Sequence, residues 1–437
     1  MIHAQKVARR RAGVHEALRS ILEGDLDFHG SDGAYASHAL HAFAAKFPPQ
    51  LPHTFIERLT APGDTVLDPM MGSGTAILEA SLLGRRAVGF DIDPLAVRLC
   101  RVKTTPLSSA RALRSVDSAT ARAAMLLMLP SMLADEIRER FDAATRRFID
   151  YWFLPQTQHE LMALVMAIEE GERSLQDFLR LVFSSVIITK SGGVSQARDL
   201  AHTRPHRVQS KVPRSALGQF ALKGRKAAAA LGGLPPRLAD VSVSLGDARS
   251  IPLPDCSVDL IITSPPYANA IDYMRAHKFS LVWFGEPIEH LTALRATYVG
   301  SENCKGLEDQ GLPPLSGATV NAVAARDMRK ARVLAKYLGD MRLIMSEMHR
   351  VLRAGAAAGI VVGPSTMRGV RVPTHEHLAE IAGSQLNFEV VGIGERRLDR
   401  DKRMMPARNE GGRMNGIGER MHQEFIVGLV KPRARER

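Results

Sequence analysis

Along the chain, short apolar runs alternate with amphipathic stretches, and the runs predict the strands of an α/β sheet. Residues 65–67 form an apolar run of strand type, broken by Asp68, Pro69, Gly72, Ser73 and Gly74. Residues 76–83 are helix-forming, with Gly84 just past their end, and residues 87–90 predict a second strand closing on Asp91. A further helix runs to the break at Pro106, so strand, turn, helix, strand, helix makes half of a doubly wound sheet. Upstream, residues 1–30 read as an amphipathic helix with Val7, Val14, Leu18, Ile21 and Leu22 on one face. Lys6, Arg9, Arg10 and Arg11 crowd its other side, read here as a solvated face.

From 107 to 240 the pattern turns helical, over residues 115–129, 134–149, 158–170 and 175–187, with no strand alternation. The sheet resumes at 241–245 and 258–262. Residues 340–352 predict an amphipathic helix, and 356–362, 388–393 and 425–430 the remaining strands. Residues 269–283 read as helix or loop, with Arg275, His277 and Lys278 able to face substrate. Residues 295–325 read as an irregular, glycine-rich loop over the site. Three regions result: 1–106, the first helix and half of the sheet; 107–240, a helical insertion ending in a basic loop; and 241–437, the second half of the sheet.

Composition narrows the partners. The 437 residues carry a formal net charge of +12, which suits a polyanion. Between 185 and 226 nine Lys or Arg face one acid, Asp199; Lys190, Arg198, Arg204, Arg207 and Lys211 are candidate phosphate contacts. The stretch 396–420, with eight basic and four acidic residues, is a second candidate through Arg403, Arg408 and Arg413. Three cysteines far apart, with no CxxC, indicate neither zinc nor disulfides and fit a reducing cytosol. His38 and His41 lack a third metal ligand, and the His375-Glu376-His377 stretch reads as surface. The basic N-terminus has no apolar run behind it, so no signal peptide is expected, and the longest apolar stretch is too short to span a bilayer.

Two turns carry the chemistry. The first, after residues 65–67, is a glycine turn opening a helix, with an acid ending the next strand: the layout of a nucleotide-type pocket. Its motif is not GxGxxG. The second follows residues 258–262: Ser264-Pro265-Pro266-Tyr267 at the carboxyl end of a buried strand. Two prolines remove two N–H donors, leaving the Ser264 hydroxyl and the Ser264 and Pro265 carbonyls as acceptors for the hydrogens of an amino group. Tyr267 offers a face on which a base could stack. An exocyclic amine is a poor nucleophile because its lone pair is delocalised into the ring. Accepting its hydrogens turns that lone pair toward an electrophile, which supports direct transfer without a covalent intermediate. No Pro-Cys nucleophile is present, which argues against methylation at carbon 5.

Asp68-Pro69-x-x-Gly72-Ser73-Gly74-Thr75 together with Ser264-Pro265-Pro266-Tyr267 resembles the amino-methylating DNA methyltransferases. The likeness extends to Ala45-Lys46-Phe47-Pro48, Asp91-Ile92-Asp93-Pro94 and Gly246-Asp247-Ala248, and departs from the family in the long insertion and in Met70-Met71. It implies a Rossmann-like sheet of about seven strands, the last antiparallel, and S-adenosylmethionine as cofactor. It also implies that Lys46, Phe47, Asp68, Pro69, Gly72, Ser73, Gly74 and Thr75 surround the methionine end of that cofactor. Asp91 would bind the ribose, Asp247 would lie by the adenine, and Ser264, Pro265, Pro266 and Tyr267 would hold a flipped base. A serine opening the second motif is similar to enzymes that make N4-methylcytosine; Asp or Asn is more usual for adenine N6. Adenine N6 in DNA and an exocyclic amine in RNA remain the alternatives. DNA is the expected partner, with a restriction endonuclease or defence-system protein as a second, in the cytoplasm at the nucleoid.

Overall fold

The computed structural model describes residues 13–43, 46–189, 193–198, 200, 205–235, 238–268, 272–302, 311–398 and 422–433. In chain order the first elements are α1 (Val14–Leu22), α2 (Gln50–Leu59), β1 (Thr65–Asp68), α3 (Thr75–Leu82), β2 (Arg86–Asp91) and α4 (Pro94–Lys103). Six helices follow: α5 (Ser109–Leu126), α6 (Pro130–Arg140), α7 (Ala143–Trp152), α8 (Pro155–Glu170), α9 (Arg173–Ile187) and α10 (Ala216–Leu231). A two-stranded hairpin, β3 (Ala197–Arg198) and β4 (His206–Arg207), lies between the last two. Then come β5 (Val241–Leu245), β6 (Val258–Thr263), α11 (Met274–Leu281), α12 (Ile288–Thr297), α13 (Pro314–Ala324) and α14 (Met328–Val351). The chain closes with β7 (Leu352–Val362), the short pair β8 (Ser365–Met367) and β9 (Val370–Val372), α15 (Thr374–Gln385), β10 (Glu389–Arg397) and β11 (Gln423–Val430).

Seven strands form one sheet in the order β10-β11-β7-β6-β1-β2-β5. Only β11 runs antiparallel to its neighbours β7 and β10. This is the doubly wound Rossmann-like sheet expected, with its last strand reversed. Period-two alternation divides the strands between two cores. Val66, Leu260, Ile262, Val361 and Ile426 pack beneath α1, α2 and α3, while Leu67, Ile261, Ile360 and Val427 pack beneath α14 and α15. α4 joins the sheet to the inserted helices: Leu95, Leu99 and Val102 share a third core with Val116, Leu164, Phe183 and Phe220, and with Phe279 and Trp283 of the α11 region.

Several elements depart from the sequence reading. The helix expected over 134–149 is two helices, because Asp142 caps α7 by accepting from the Ala144 and Thr145 N–H groups at 2.8 Å. Within the stretch 295–325, residues 314–324 form α13, which Pro314 opens at its first turn; residues 303–310 lie outside the described residues. α14 begins twelve residues before the expected 340, at an Asp327 cap, and spans 24 residues. His375 and His377 are buried, not surface: His375 stacks on Phe425 at 3.7 Å between ring centres, and Ser316 lies 3.3 Å from His377. The basic face expected on the first helix at Lys6 to Arg11 lies outside the described residues.

Candidate active site

The two turns meet. The strand order reverses between β1 and β6, so their connections diverge and leave a crevice at the carboxyl ends, the usual ligand position of such sheets. A cavity of about 900 Å³ occupies it. Its walls include Asp68 to Ser73 after β1, Asp91 to Asp93 after β2, Gly246 to Arg249 after β5, and Ser264 and Pro266 after β6. Lys46, Phe47 and Thr75 also line it; Gly74, Pro265 and Tyr267 do not.

The glycine turn is built by backbone geometry. Gly72 and Gly74 take φ of +47° and +73°, a region costly for residues with a Cβ. At Gly74 the space is also taken, since a Cβ would sit 2.3 Å from the Cys100 sulfur. Asp91 fastens the turn to β2 by accepting from the Gly72 N–H at 2.8 Å and the Asp93 N–H at 2.9 Å. From below, the fully buried Lys103 donates to the Ser73 carbonyl at 2.8 Å; burial lowers its ammonium to about 7.

Four carboxylates stand at the cavity in different states. Burial pushes Asp68 up to about 7, against the Thr263 hydroxyl donating at 2.7 Å. Asp91 is likewise raised to about 7 by burial and the neighbouring Asp93 charge. Asp93 is held below the usual carboxylate range: burial opposes this, but His277, at 2.6 Å, outweighs it. Asp247 is lowered as well, because a clamp by Arg249 at 2.7 Å overcomes the cost of burial. Arg249 also reaches Asp340 at 3.0 Å and the Thr297 carbonyl at 2.8 Å, tying the β5 turn to α14 and α12.

The aromatic surface is not where the sequence placed it. Tyr267 is 9% exposed, with its hydroxyl donating to Glu424 at 2.7 Å, so little of its ring is free for stacking. Phe43, Tyr273 and Tyr298 line the cavity instead, with Phe43 stacked on Tyr273 at 5.1 Å. No local signal marks them, because they come from segments that only the fold brings together.

Residues 26–101 match the family model described as DNA methylase. The chain is similar to the type II methyltransferase M.MvaI of Kocuria varians, 22% identical over 388 residues, 82% of this chain and 83% of that one. It is 24% identical to the type II methyltransferase M.BsoBI of Geobacillus stearothermophilus over 272 residues, 57% of this chain and about half (53%) of that one. A solved SAM-dependent methyltransferase from Methanosarcina mazei covers 87% of this chain, and the chain covers 97% of it, at 10% identity and a TM-score of 0.31.

The family model and the two type II relatives support an amino-methylating DNA methyltransferase. The family implies S-adenosylmethionine, and the cavity suits it. Glycines allow close backbone approach, Met71, Phe43 and Phe47 are apolar walls, and Asp91 and Asp247 are acceptors of the kind that ribose and adenine require.

Of the candidate nucleic-acid contacts, Lys190, Arg204, Arg403, Arg408 and Arg413 lie outside the described residues. Arg198, Arg207 and Lys211 lie on or beside the β3–β4 hairpin. Arg207 sits over the Tyr151 ring at 4.8 Å, and Lys211 donates to the Ala197 carbonyl at 3.0 Å. His38 is bonded to Glu79 at 2.7 Å and His41 to Ser184 at 3.3 Å. No cluster that could hold a metal occurs among the described residues, and none of their helices is long and apolar enough to cross a membrane.

Proposed function

We propose that the protein methylates the exocyclic amino group of cytosine (N4) in DNA. The observation that carries this reading is the single cavity lined by the glycine turn, Asp91, Asp247, Ser264 and Pro266. S-adenosylmethionine, when bound, supplies an electrophilic methyl group. Gly72, Asp91 and Asp247 would orient it from the β1, β2 and β5 ends of the sheet. Ser264, which lines the cavity, would accept the amino hydrogens of the target base, aligning its lone pair toward the methyl group. The base must leave the duplex to reach them, since its amino group is otherwise paired. Cytosine is favoured over adenine by the serine that opens the second motif.

Incubating the protein with cofactor labelled in the methyl group and with DNA, then digesting to nucleosides, tests this. Label is expected in N4-methylcytosine; label in N6-methyladenine, or transfer to RNA alone, would replace the reading.

A further inference from the structure

A second cavity, of about 750 Å³, adjoins the first. Their walls come from neighbouring stretches of the chain. Tyr273 and residues 297–299 line the first, while the flanking Arg275, Arg295 and Glu302 line the second, with Lys278, Phe279 and Trp152. Three cations therefore converge there. One carboxylate, Asp272, serves both Arg275, at 3.1 Å, and Arg295. Lys278 is held 5.3 Å over the Phe148 ring, and burial together with the charges of Arg295 and Arg275 lowers its ammonium. Glu302, the acid on the wall, pairs with Lys330 at 3.1 Å and with Arg329 at 3.9 Å. The gathered charges of Arg275, Lys278 and Arg295 repel one another, and an incoming anion relieves that repulsion.

The surface continues outward. The Gln196 N–H donates to the Trp152 carbonyl at 2.8 Å, which fixes the β3–β4 hairpin to the cavity rim. Tyr151 stacks edge-on against Trp152 at 4.9 Å and carries Arg207 on its ring. Cations interleaved with aromatic rings are suited to a sugar-phosphate chain.

We propose that this second cavity holds a phosphodiester of the nucleic-acid substrate beside the target base. Arg275, Lys278 and Arg295 grip the phosphate, and the sugar lies against Trp152. The inference rests on the nucleic-acid reading above and adds a site to it.

The test measures anisotropy of a fluorescent duplex with the full chain over a range of NaCl concentrations, for the wild type, Lys278→Gln, Arg295→Gln and Lys278→Arg. A lost phosphate contact lowers the slope of log affinity against log salt by about 0.9. Lys278→Gln and Arg295→Gln should each show this loss, and Lys278→Arg should keep the slope, with S-adenosylhomocysteine binding unchanged throughout. Unchanged slopes in both Gln variants would overturn the site. Should a variant fail to fold, acetylation of Lys278 in the wild type, read by mass spectrometry with and without DNA, decides: protection supports the site and equal labelling overturns it. A wild type that methylates DNA while these readouts fail refutes this site alone. A wild type that protects Lys278 but transfers no methyl group refutes the reaction and leaves the site. A slope loss seen with RNA and not with DNA would move the same site to the other polymer and refute DNA as its occupant.

Discussion

Asp68 shows how one buried side chain links site and stability. Its carboxyl is raised to about 7 by burial, above an ordinary value of 3.8. Between those values the folded state holds a proton that the unfolded chain has released. This contribution to stability is therefore full below pH 4, falls as pH rises toward 7, and is flat above. Asp68→Asn removes the titration while keeping an acceptor for Thr263. The melting temperature of the variant relative to wild type should rise between pH 5 and pH 8, by the equivalent of about 1–3 kcal/mol. A constant difference between the two pH values would show that Asp68 is not the titrating group. Gly74 is a simpler case: its φ of +73° and the Cys100 sulfur leave no room for a methyl group. Gly74→Ala should cost about 2 kcal/mol or more, read as a lower urea midpoint.

At the scale of elements, buried ion pairs and caps set what each strand and helix presents. Arg396 of β10 pairs with Glu424 of β11 at 2.6 Å, both nearly inaccessible, and Glu424 in turn accepts from Tyr267. The turn after β6 that carries Tyr267 is thus fastened to the far edge of the sheet. Glu424→Gln retains an acceptor for Tyr267 but strands the Arg396 charge, and should destabilise by about 3–5 kcal/mol. Tyr267→Phe removes only a hydrogen bond and should cost about 1–2 kcal/mol in the same denaturation assay. Comparable losses for the two would mean that the ion pair is not what holds the turn. The Asp142 cap of α7 should be worth about 1 kcal/mol, tested by Asp142→Ala.

These elements also show what was legible in the sequence. Of the five parallel strands, β1, β2, β6 and β7 were readable because they are largely buried and their apolar runs nearly continuous, whereas β5, at the sheet edge and partly exposed, shows apolar residues at every second position. The glycine turn, Asp91 and the Ser-Pro-Pro stretch were readable because backbone demands restrict which residues fit. α13 was missed because its proline and glycine read as breakers, although Pro314 sits at the helix start, where proline is well accommodated. Phe43, Tyr273 and Tyr298 were missed because their role depends on contacts between segments more than two hundred residues apart.

Across the whole molecule, the inserted helices and the sheet are not separable by packing. α4 turns Leu95 and Leu99 into the core of the insertion and Val97 and Cys100 into the core of the sheet. Phe279 and Trp283, from the second half of the sheet region, close that same insertion core. The candidate cavity likewise takes its walls from Phe43 to Asp93 at one end of the chain, Gly246 to Arg249, Ser264, Pro266 and Tyr273, and Thr297 to Val299, among the described residues. A ligand there bridges parts of the chain that no short segment connects. Binding only to the folded state stabilises by about 2.7 kcal/mol at a hundredfold excess over Kd. Because the cores are joined through α4, the whole chain should melt in one transition, and S-adenosylhomocysteine should move all of it upward. Calorimetry with and without the ligand checks this. Two transitions, with only the upper one shifted, would mean that the region 107–240 folds by itself, and that its contacts with α4 and α11 couple it only weakly to the site.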